Sequence, residues 1–155
     1  METIYTIPIN ESFEATMADH SRGCALCALT DTLEKREIDL ILGASMMEPD
    51  IRIKTNKEGF CRKHFDMMLG MKNKLGLALM MESHIDEVRK TVFPKEGLFA
   101  PKNKCEASMK PLEAHNSSCY ICNRVDFHLT KMAETIVFLW HTQEEFAKKL
   151  SQMPF

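Results

Sequence analysis

The sequence predicts an all-α protein, a helical bundle built from two related helix–short helix–long helix repeats, the second of them incomplete. Three observations carry this expectation. Apolar residues recur at helical spacing along most of the chain, and no window except Thr3 to Ile9 alternates as a strand does. One fixed offset also lays His20, Cys24 and Cys27 on His115, Cys119 and Cys122, with Asp39 on Glu134, Ile41 on Ile136, Leu42 on Val137 and Phe60 on Phe155.

Taken in order, the first helix starts near Cys24 and carries Leu26, Leu29, Leu33, Ile41 and Ala44 on one face. It is expected to stop between Gly43 and Met47, because Pro49 can only follow a stop or open the next helix. Asp50 to Lys57 reads as a short charged helix that Gly59 terminates. From Cys61 a long helix is expected as far as Phe93-Pro94, with Phe65, Met68, Leu75, Leu79, Ile85 and Val88 as its buried stripe. Gly70 and Gly76 inside it cost about 1 kcal/mol each relative to Ala, which marks them as points of close helix contact.

Between Val92 and Ser118 the periodicity disappears, and Pro94, Pro101 and Pro111 punctuate a stretch bearing Lys95, Lys102, Lys104 and Lys110. The expected organisation is a first repeat over 1–93, a linker over 94–114, and a partial second repeat over 115–155 packed on the first. In the second repeat Ile121, Val125, Leu129, Met132, Ile136 and Leu139 form the apolar stripe, and Glu144 to Ser151 repeats the short charged helix.

The chain has 155 residues, of which 45% are hydrophobic and 27% charged, a globular mix that argues against disorder. A net charge of −2 and a pI near 6.3 provide no basic field for nucleic acid or an anionic membrane surface. No apolar run approaches a membrane span. The segment from Met1 to Pro8 lacks the basic and apolar regions of a secretory signal, so a cytoplasmic location is expected.

Six cysteines are the informative part of the composition, because in a reducing compartment clustered thiols bind metal or do redox chemistry. Cys24 and Cys27 form one C-x-x-C, Cys119 and Cys122 another, and Cys61 with His64 a C-x-x-H, while Cys105 stands alone. Two residues between ligands at the first turn of a helix bring both side chains to one side of a tetrahedral ion. The exposed N–H groups there also favour the thiolate that binds it. Cys24, Cys27, Cys61 and His64 are therefore expected to form a first Cys₃His site, with His20 as the alternative fourth ligand. Cys119, Cys122 and His115 are expected to form a second, incomplete site. The repeat offset places the missing C-x-x-H just past Phe155, as in a truncated chain.

Zinc is the expected ion, with an iron–sulfur cluster or another soft metal as the alternative. Twelve methionines could suit a soft metal but at helical spacing read as adaptable core filler. No phosphate-binding glycine loop, H-E-x-x-H or G-x-S-x-G occurs, so an enzyme is not the leading expectation. The expected role is that of a metal-binding interaction or regulatory module whose partners are the ion and a protein or a second copy of the chain. A thiol redox switch or thiol enzyme using the C-x-x-C pairs is the alternative.

The run His20-x-x-x-Cys24-x-x-Cys27 resembles the signature of zinc-binding anti-sigma factors, in which a metal-held helical domain releases its partner on oxidation. Over most of the chain, Cys24-Ala-Leu-Cys27, Met47-Glu-Pro-Asp-Ile-Arg-Ile-Lys-Thr-Asn56, Gly59-Phe-Cys-Arg-Lys-His-Phe65 and Cys119-Tyr-Ile-Cys122 together resemble an uncharacterised bacterial family, a domain of unknown function. That resemblance implies repeated C-x-x-C and C-x-x-H motifs and supplies no activity.

Overall fold

The computed structural model describes residues 3–93 and 103–153. Among them the chain is all-α, with eight α-helices and no strand. The helices are α1 (Thr6–Ala18), α2 (Ala25–Leu42), α3 (Pro49–Glu58), α4 (Arg62–Gly70), α5 (Lys74–Val92), α6 (Lys104–Asn116), α7 (Tyr120–Thr142) and α8 (Glu144–Ser151). The chain divides into two compact units, Met1–Arg36 with Arg124–Phe155 and, between them in sequence, Glu37–Asn123. The divisions fall inside α2 and α7.

In the first unit, Ile9 and Phe13 of α1, Leu29 and Leu33 of α2, Met132 and Leu139 of α7 and Phe146 of α8 are all buried. The Phe13 and Phe146 rings lie 5.3 Å apart in a tilted pair, a geometry that satisfies the ring quadrupoles. The Ser12 hydroxyl donates to the Ala25 carbonyl at 2.8 Å, tying α1 to the start of α2. Tyr5 and His128 share a 2.8 Å hydrogen bond.

The second unit centres on α5. α3 and α6 both pack on this helix. Its buried residues are Gly76, Leu77, Met80, His84 and Val92. Polar groups fix α3 against it: Arg52 Nη2 donates to the Leu79 carbonyl at 2.6 Å and the Ser83 hydroxyl donates to Asn56 Oδ1 at 2.8 Å. Met68 and Ile41 are buried completely or nearly so.

Three local expectations are corrected. Thr3 to Ile9, the one alternating window, starts a 3-10 turn that leads into α1, with Pro8 early enough in α1 to cost no internal hydrogen bond. The long helix from Cys61 is two helices. α4 ends at Gly70, Met71 turns to extended backbone, and Asn73 caps α5 by accepting from the Gly76 N–H at 2.9 Å. The interruption resets the helical phase, so Leu75 and Ile85 are exposed while Leu77, Met80 and His84 face inward. Lastly, residues 104–114 of the expected linker, together with His115 and Asn116, form α6, with Asn103 as its cap and Pro111 inside it. Pro94, Lys95, Pro101 and Lys102 lie outside the described residues, as does Phe155.

The remaining boundaries match the sequence expectations closely. The first long helix stops at Leu42, the short one runs Pro49–Glu58, and the last runs Glu144–Ser151. Gly76 is a point of close contact, as expected. A Cβ there would collide with the Asn73 side chain and the Met46 sulfur, whereas Gly70 has open space.

Candidate metal centre

Two loops in the second unit end in helices that begin side by side. Gly59-Phe60-Cys61 leads into α4, with Cys61 in the capping position, and Ser117-Ser118-Cys119 leads into α7. Three hydrogen bonds that involve no thiol hold these loops together. The Tyr120 N–H donates to the Gly59 carbonyl at 3.0 Å, the Ser118 hydroxyl to the Glu58 carbonyl at 2.6 Å, and the Asn123 amide to the Glu58 carboxylate at 2.8 Å.

Each helix start then presents two ligand atoms. Cys61 and His64 lie at the start of α4, Cys119 and Cys122 at the start of α7, and all four donor atoms fall within 4.8 Å of one another. The Cys61 and Cys122 sulfurs are 3.9 Å apart, and His64 Nδ1 lies 3.2, 3.3 and 3.5 Å from the sulfurs of Cys61, Cys119 and Cys122. Bonds of about 2.3 Å to sulfur and 2.0–2.1 Å to nitrogen place tetrahedral ligands about 3.8 Å apart for two sulfurs and about 3.6 Å for sulfur and nitrogen. The Cys61–Cys122 spacing is close to the first value, and the nitrogen–sulfur spacings lie somewhat inside the second. His64 and Cys119 are buried, and Cys61 and Cys122 half-buried. This Cys₃His cluster could hold a metal ion.

The electrostatics point the same way. Burial raises the Cys61 thiol, but the His64 N–H and hydrogen bonds from Cys119 and Cys122 outweigh it, and the net direction is down. Cys122 is pushed up to about 12, first by burial and then by the neighbouring Cys119 and Cys61. The cluster therefore favours one thiolate and resists a second, because three sulfurs this close cannot all carry charge without a cation among them. A divalent ion supplies that cation, so binding it displaces protons.

The structure combines the ligand pairs differently from the sequence expectation. Cys61 and His64 meet Cys119 and Cys122, not Cys24 and Cys27, so the C-x-x-H of the first half completes the C-x-x-C of the second. Among the described residues no other set of three or more Cys, His, Asp or Glu donors gathers in this way. Cys24 and Cys27 belong to the other compact unit, at the start of α2, and remain free thiols. The backbone N–H of Cys27 lowers the Cys24 thiol, whereas the Cys24 side chain raises that of Cys27. His20, the alternative ligand, is exposed in the turn before them.

His115 does not join its expected partners Cys119 and Cys122. Its ring lies beside that of His84, with the ring planes 26° apart and the two Nε2 atoms 3.1 Å apart. His84 was missed in the sequence, where it stands one turn beyond Met80 as another inward position of α5. Its only local signal is a polar residue on an apolar stripe. Cys105 is exposed on α6.

No helix among the described residues is long and apolar enough to cross a membrane. The profile of a family of unknown function, DUF6062, matches residues 1–155. No curated protein and no solved structure matches the chain significantly.

Proposed function

Since the chain belongs to DUF6062, a family of unknown function, its role rests on its own residues, and we propose that it is a structural zinc protein acting as an interaction or regulatory module. The observation that carries this reading is the convergence of Cys61, His64, Cys119 and Cys122 from two helix starts. Four protein ligands close a tetrahedral shell, whereas catalytic zinc keeps a position open for water or substrate. Zinc suits three thiolates and an imidazole. An iron–sulfur cluster would set bridging sulfides between its irons and hold the protein ligands further apart than one ion does.

The ion would clamp the start of α4 to the start of α7 within the second unit. A closed shell leaves the ion no open position for a substrate, and large apolar side chains on α7, among them Phe127, Val137 and Trp140, face solvent. Both features suit a braced scaffold that meets another protein.

The test is metal analysis of protein purified without added metal, beside a Cys119→Ser variant. Wild type is expected to retain one tightly held zinc through desalting and to lose helical structure cooperatively when a strong chelator removes it. Cys119→Ser is expected to retain none. Wild-type protein that is metal-free yet melts like the metal-loaded form would overturn the reading.

A second reading is favoured by one observation. Cys24 and Cys27 stand outside the cluster as a free C-x-x-C at a helix start. There they could cycle between dithiol and disulfide with a cellular thiol–disulfide couple, making the chain a thiol redox switch. Thiol counting before and after mild peroxide tests this reading. Two thiols lost with zinc retained supports it, and no loss eliminates it.

A further inference from the structure

The His84–His115 pair lies in the second unit, apart from the Cys₃His cluster, and none of the chemistry above uses it. We propose that His84 and His115 form a second cation site, one that takes a borderline first-row divalent ion such as zinc through their two facing Nε2 atoms and leaves its remaining positions open to solvent.

The geometry of the two rings is the first argument. Their Nε2 atoms are 3.1 Å apart and their centroids 4.8 Å apart. A straight N–H···N bond of that length would hold the centroids about 5.4 Å apart, since each lies about 1.15 Å behind its nitrogen along the donor axis. Two lone pairs converging on one ion about 2.1 Å from each nitrogen give this nitrogen separation at an angle of about 95°, and with it a centroid separation of about 4.8 Å. The centroids thus stand closer than a straight N–H···N bond would hold them, with the ring planes 26° apart.

The tautomer is the second argument. His84 Nδ1 lies 3.0 Å from the Asn56 carbonyl, which can only accept, so Nδ1 carries the proton and Nε2 presents a lone pair. An imidazole whose far nitrogen donates to a backbone carbonyl is the usual arrangement of a metal-ligating histidine. Room for the ring comes from Gly59, where a Cβ would stand 2.8 Å from His84 Cε1.

The third argument is access. His115 lines a cavity of about 340 Å³ whose lining also includes Glu58 and Glu87, the latter one turn along α5 from His84. Glu58 is engaged by Asn123, and Glu87 lies 3.7 Å from Lys90, an exposed pair that water can part. An ion held by the two imidazoles would thus adjoin, through His115, a cavity lined by Glu58, Glu87 and Lys57, from which water or a small anion can complete its shell.

The site is tested by equilibrium dialysis of full-length protein against zinc at rising concentration, with total zinc per chain measured beside a His115→Gln variant. Two ions per chain are expected for wild type and one for His115→Gln, whose retained first zinc and unchanged helical signal show that it is folded. One ion per chain in wild type at millimolar zinc would overturn the site, as would two in His115→Gln. In wild type, the ring-proton resonances of His84 and His115 should shift as the second equivalent is added. Resonances that stay fixed would show a simple hydrogen-bonded pair and contradict the proposal without recourse to any variant.

Discussion

Gly59 shows how much of this molecule turns on single positions. Its φ of +65° is a left-handed conformation that L side chains rarely adopt, and the space a Cβ would need is filled by His84. The same residue accepts the Tyr120 N–H, so it joins the two loops that carry the ligands. Gly59→Ala is expected to cost about 1–3 kcal/mol, read as a lowered urea midpoint at unchanged slope. Cys24 offers a second prediction at this scale. The Cys27 N–H holds its thiol below the ordinary value of 9.0, while that of Cys27 lies above it. A lowered value means more thiolate at any pH beneath it. Cys24 should therefore be alkylated by iodoacetamide with a midpoint below 9 and ahead of Cys27, as peptide mapping across a pH series would show. Equal rates at both sulfurs would contradict the assignment. The ligand types were legible in the sequence, because C-x-x-C and C-x-x-H spacing is a local property of a helix start. Their partnership was not. Spacing shows which residues can share an ion with a neighbour three places away, and says nothing about which distant pair completes the set.

The helices form where apolar periodicity and capping residues agree, and expectation failed where one of these was read without the other. α2, α3 and α8 have stops that the chain announces, through Gly43, Pro49 and Gly59, or a short charged run. The break between α4 and α5 is announced more quietly, by Gly70 followed by an asparagine that caps. Reading through it carried the apolar stripe out of phase, so Leu75, Leu79 and Ile85 were assigned to the core in place of Leu77 and Met80. α6 was missed because its sequence has little apolar periodicity and contains Pro111. Its contact with α5, not its own pattern, accounts for it. Asn73 tests the break. Its side chain accepts from the Gly76 N–H and donates to the Leu42 carbonyl at 2.6 Å, joining the start of α5 to the end of α2. Asn73→Ala removes a cap and strands a carbonyl, so a loss of about 1–3 kcal/mol is expected. A thermal melt would check it, and an unchanged midpoint would mean that α4 and α5 need no such cap.

At the scale of the whole molecule, the all-α class follows directly from composition and periodicity, whereas the assembly of the metal centre depends on long-range packing. Between Cys61 and Cys119 the chain contributes α4, α5 and α6 before α7 begins, and their packing decides which ligands meet. The sequence offset suggested that each half would build its own site. The structure instead draws one ligand pair from each half, and Cys24 and Cys27 are not among the gathered ligands. The account stands on one coordination sphere, and X-ray absorption at the zinc edge measures it most directly. It should be applied to protein carrying Cys24→Ser, Cys27→Ser and Cys105→Ser together, purified without added metal. The expected spectrum has three sulfurs at about 2.3 Å and one nitrogen at about 2.0–2.1 Å, unchanged from wild type. Loss of the sulfur shell in that variant, or a wild-type sphere of oxygen and nitrogen alone, would contradict it.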